Sequence, residues 1–94
     1  MAIGNLNVGQ STGAKTSSFQ VKNTDGALIG IMISSATSGT IKAWDSLTAT
    51  GTVLFDTTAA VTLTAPQYLP VNMTFATGCF ITLGGTISCA AVYV

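Results

Sequence analysis

The chain has 94 residues, of which only 6% are charged, and its three lysines and three aspartates cancel to a net charge of zero. An ordinary soluble domain carries about 25% charged residues, so this chain has little to keep copies of itself apart. Its length allows a single domain, its 48% hydrophobic content argues against disorder, and three scattered lysines form no basic patch for nucleic acid.

The first residues lack both a basic start and a continuous apolar run, so no export signal is expected and the chain reads as made in a cytoplasm. The longest apolar run, 26–33, is too short to span a bilayer as a helix, and no membrane partner is expected. Residues 1–14 carry Gly4, Gly9 and Gly13 among Asn, Ser and Thr, the composition of a flexible N-terminal arm. Residues 15–94 form the one folded domain.

Turn signals then recur every eight to twelve residues, the spacing of short strands in a sandwich or barrel. A first strand is expected over 16–22, with Ser17, Phe19 and Val21 on one face, ending at the turn Asn23-Thr24-Asp25-Gly26. The stretch 27–34 is apolar on both faces and suits a central strand. Ser38-Gly39 reads as another turn. Residues 40–45 alternate, Ile41, Ala43 and Asp45 against Thr40, Lys42 and Trp44, before a loop over 46–51. Short strands follow over 52–57 and 60–64. Pro66 and Pro70 bracket Gln67-Tyr68-Leu69, and proline's missing amide makes this loop or sheet edge. Strands are expected over 71–75, 79–83 and 86–94, the last two joined by a hairpin at Gly84-Gly85. The sum is an all-β fold, a two-sheet antiparallel β-sandwich of about eight short strands, jelly-roll-like. Helix is disfavoured, because the chain is rich in Thr, Val, Ile and Gly and lacks Glu and Arg.

The chemistry-bearing residues are few. With no His, Glu or Arg, general acid–base work falls to Asp and Lys, and Asp25, Asp45 and Asp56 sit at turns and strand ends where carboxylates bond backbone amides. Two cysteines without histidine make no zinc site, and three dispersed aspartates make no calcium site. No catalytic residue, metal or cofactor is expected. Across the expected hairpin, Cys79, Ile81 and Leu83 share a face with Ile87, Cys89, Ala91 and Tyr93, given an odd-numbered loop. Cys79 and Cys89 are then either buried thiols or a disulfide, and the missing export signal favours thiols. Phe19, Phe55, Phe75 and Phe80 read as core. Trp44 is a core residue, an interface anchor or a sugar platform. Interface candidates are Trp44, Leu47, Pro66, Tyr68, Leu69 and Pro70, together with the arm.

Several stretches, in order, carry a resemblance: Gly26-Ala27-Leu28-Ile29-Gly30-Ile31, Gly39-Thr40-Ile41-Lys42-Ala43-Trp44-Asp45, Ala49-Thr50-Gly51-Thr52-Val53-Leu54, and Phe75 through Thr86 before an apolar C-terminal strand. Over 26–94 the chain resembles small jelly-roll structural proteins of tailed bacteriophages, including cyanophages. That resemblance implies a capsid cement or decoration subunit, with the major capsid protein as partner, a homotrimer as the unit and the virion surface as its place. The family offers no catalytic residue to carry over. The alternatives are a carbohydrate-binding or adhesin module of a tail fibre, or a small tail or connector component.

Overall fold

Two long strands carry the fold. In the computed structural model, which describes residues 9–57, 59–63 and 66–94, the elements are β1 (Gln10–Ser11), β2 (Phe19–Lys22), β3 (Gly26–Asp45), β4 (Thr52–Asp56), β5 (Val61–Leu63), β6 (Gln67–Phe75) and β7 (Cys79–Tyr93). All belong to one antiparallel seven-stranded sheet, and no helix occurs among the described residues. β3 and β7 pair along nearly their whole length, from Leu28 opposite Tyr93 to Trp44 opposite Phe80.

The inward residues of β7 keep one parity: Cys79, Ile81, Ile87, Cys89 and Ala91 are buried. Those of β3 change parity, from Leu28 to Ile31 and Ile33, then to Ala36, then to Ile41 and Ala43. Each change coincides with a β-bulge, at Leu28/Gly30, Ile33/Ser35 and Thr37/Thr40. A bulge sets two residues against one and so resets which side chains face inward.

The third bulge makes a corner. Ser38 has φ 57° and Gly85, on the facing strand, has φ 69°. Before the corner the strand order is β1–β7–β3–β6, and beyond it β2–β7–β3–β4, with β5 paired to β3 at the corner through Ala36 and Gly39. Inward residues of both halves join one cluster, in which Leu28, Ile31 and Ile33 of one half and Ile41 and Ile81 of the other have no exposed surface. These side chains come from both sides of the corner, so the bent sheet has one shared core. Asp45 ties the two halves at one end: its carboxylate accepts N–H bonds from Ala76 and Thr77, in the β6–β7 turn, at 2.9–3.1 Å.

The all-β, antiparallel expectation stands, and several details change. Among the described residues seven strands, two of them long, replace about eight short ones. Ser38-Gly39 and Gly84-Gly85 are not turns but the two sides of the corner, and no hairpin lies between Cys79 and Cys89. Pro70 lies within β6, which is an edge strand, because the missing amide costs nothing where no neighbour accepts it. Of the expected arm, residues 1–8 lie outside the described residues. From Gln10 onward the chain is fastened to β7: Gln10 and Ser11 pair Tyr93 and Val92, Thr12 and Ala91 exchange hydrogen bonds of 3.0 Å, and Lys15 bridges to Cys89. The expected strand at 60–64 is described over Val61–Leu63 only.

Candidate interaction surfaces

Each half turns one face to the core and one to the outside. On the β2–β7–β3–β4 half, register places Gln20, Phe80, Trp44 and Val53 in a row across the four outward-facing strands. The neighbouring row is Thr82, Lys42 and Asp56. Trp44 is half-buried; its indole Nε1 donates to Thr82 Oγ1 at 3.2 Å, and that hydroxyl donates to the Lys42 carbonyl at 3.2 Å. The Lys42 ammonium lies 4.6 Å from the centre of the indole ring and 4.0 Å from the Asp56 carboxylate. Half-exposed as both partners are, that ion pair adds under about 1 kcal/mol, so its effect is to orient Lys42 over the ring. An open depression of about 390 Å³ adjoins it, lined by Thr40, Lys42, Asp56, Thr82 and Gly84 among others.

On the β1–β7–β3–β6 half, Met32 stands between Tyr68 on β6 and Ala90 on β7. Gly30 stands between Pro70 and Val92. The Tyr68 phenol lies across Gly30, where any side chain would strike it, so a residue without Cβ lets the ring rest on the sheet. Met32 and Tyr68 are 41% and 40% exposed, and Pro70 is exposed further along β6. Beyond them the face becomes hydroxylic, with Ser35 opposite Ser88 and Thr37 opposite Thr86.

The sequence-derived candidates therefore divide between two surfaces. Trp44 and the exposed Leu47, in the β3–β4 loop, belong to one half; Pro66, Tyr68 and Pro70, all exposed, belong to the other. Leu69 leaves the set, since it pairs Ile31 and packs against the core. Met32, Val53 and Phe80 were missed. Phe80, expected in the core with the other phenylalanines, faces outward between the buried Cys79 and Ile81. The alternation around it was the available signal. Phe19 and Phe75 are buried, and Phe55 packs against the core.

Cys79 and Cys89 are free, fully buried and ten positions apart on the single strand β7. A disulfide needs Cα atoms within about 7 Å, which ten residues of extended chain do not allow. Burial pushes the Cys79 thiol up to about 12, with the Asp45 charge adding to it, and burial alone pushes Cys89 up to about 11. Both are protonated, poorly nucleophilic core side chains at neutral pH. Among the described residues no three Cys or Asp side chains group to hold a metal ion, and no helix is long and apolar enough to cross a membrane. No protein-family model, curated protein or solved structure matches the chain.

Proposed function

We propose that the chain is a non-catalytic viral structural protein, a cement or decoration subunit that binds the major capsid protein on a phage head and associates with copies of itself. The observation that carries this reading is the pair of outward faces. Each half, behind a fully buried core, presents a row of large apolar or aromatic side chains among Thr and Ser, in a chain with only six charges. Broad neutral surface of this kind suits many weak contacts repeated by symmetry, whose avidity exceeds that of any one contact.

The strand pairing supports the jelly-roll form of the fold. Dividing β3 and β7 at the corner and setting aside β5 gives eight segments. In chain order, first pairs eighth, second pairs seventh, third pairs sixth and fourth pairs fifth. A ribbon of antiparallel pairs rolled up in this nested way has its successive pairs alternating between two four-stranded layers.

The carbohydrate reading draws on Trp44 and the depression beside it. Against it, Lys42 already covers one face of the indole, and a sugar stacks on an open ring face. The tail or connector alternative shares every surface feature with the cement reading, and imaging of intact particles separates them.

The direct test is addition of the purified chain to heads assembled without it. Saturable binding and a higher temperature of head disruption are expected. A chain that ignores such heads at all concentrations overturns the reading.

A further inference from the structure

We infer that the outer face of β6, β3 and β7 meets the same face of a second copy across a two-fold axis; this rests on the reading that the protein self-associates. A two-fold contact sets a patch against itself, so any charge near the axis meets its own like. None of the six charged residues falls within β6, within 26–37 of β3 or within 86–93 of β7. The opposite outer face carries Lys42 and Asp56. A face without ions offers a charged partner nothing to pair with, whereas a second copy is neutral there by construction.

The sheet edge beside this face is closed to pairing. β6 is the outer strand, Pro70 has no amide to donate, and Asn72, at φ 54°, turns the backbone out of strand geometry. Association is thereby directed from the edge to the face. There the Tyr68 ring already rests on Gly30, beside Met32 in register, so little freedom of that ring is lost on contact.

Size sets the strength. Strands about 4.8 Å apart rising about 3.3 Å per residue make this face roughly 500 Å² per copy, or about 1,000 Å² for a pair. That is the lower limit for a specific interface and places the contact among weak, transient associations. A trimer, which the phage resemblance implies, instead needs two different complementary patches on each copy.

The test is sedimentation of the full chain from about 1 to about 200 µM, a range over which weak association appears as a concentration-dependent mass. The expected result is a monomer–dimer equilibrium. Tyr68→Lys and Met32→Lys each bury like charges at the axis and raise the dissociation constant roughly tenfold or more. Val53→Lys, on the other half, leaves it unchanged. Thermal melts establish that each variant is folded. A monomer throughout, a trimer, or equal weakening by Val53→Lys overturns the inference. Head binding by a strictly monomeric chain overturns self-association and leaves head binding standing; a dimer that ignores heads does the reverse.

Discussion

Asp45 terminates β3 with its carboxylate against the backbone of the β6–β7 turn, where Ala76 and then Thr77 donate to it. Those bonds hold its pKa below the usual aspartate value, outweighing the smaller opposing effect of desolvation. A depressed folded-state pKa contributes stability that is fully present above the unfolded value, near 4, and lost as pH falls through the folded value. Asp45→Asn removes the charge and leaves one acceptor oxygen for two amides. The variant should therefore have a lower urea midpoint at pH 7, and the gap should narrow below about pH 4, as the wild-type carboxyl protonates. A gap that stays constant with pH would assign the loss to geometry alone. That Asp45 bonds backbone was legible from its place at a strand end. Which amides it takes was not, because Ala76 lies 31 positions away.

At the scale of the element, turns and bulges leave the same mark. Ser38-Gly39 and Gly84-Gly85 read as turns because both offer the left-handed backbone that a turn requires. A bulge at a corner requires it too. The chain uses both dipeptides on facing strands, so that β3 and β7 bend together without breaking their pairing. Gly85 is the tighter of the two positions, since a Cβ there would strike the Ser38 carbonyl. Gly85→Val adds that collision to the cost of about 1–2 kcal/mol for a side chain in left-handed backbone. Urea unfolding should show a loss of at least about 2 kcal/mol. A variant as stable as wild type would mean that the corner is free to repack. The prolines follow the same logic. Pro70 sits within a strand because β6 pairs on one side only.

Across the whole molecule, β3 and β7 thread both halves, so the long ladder between them belongs to neither half alone. One core cluster joins them, and a 94-residue chain has little stability to divide. Unfolding should be one cooperative transition. Trp44 reports on one half, Tyr68 and Tyr93 on the other, so tryptophan fluorescence, near-ultraviolet tyrosine signal and far-ultraviolet circular dichroism should give coincident curves. Separate midpoints would show that the corner uncouples the halves.

Composition and alternation by themselves determined the all-β class, the buried parity of Cys79, Ile81, Ile87 and Cys89, and the near absence of charge, because each is a property of residues within a few positions of one another. They placed Cys79 and Cys89 on one face only given an odd-numbered hairpin loop, and the two share a face along one strand instead. Only the tertiary structure decided that Trp44 faces outward, that Leu69 faces inward and that the candidate residues lie on two surfaces. The physical reason is that a bulge shifts the inward parity of a strand without changing its sequence pattern, and where it falls depends on the strand opposite.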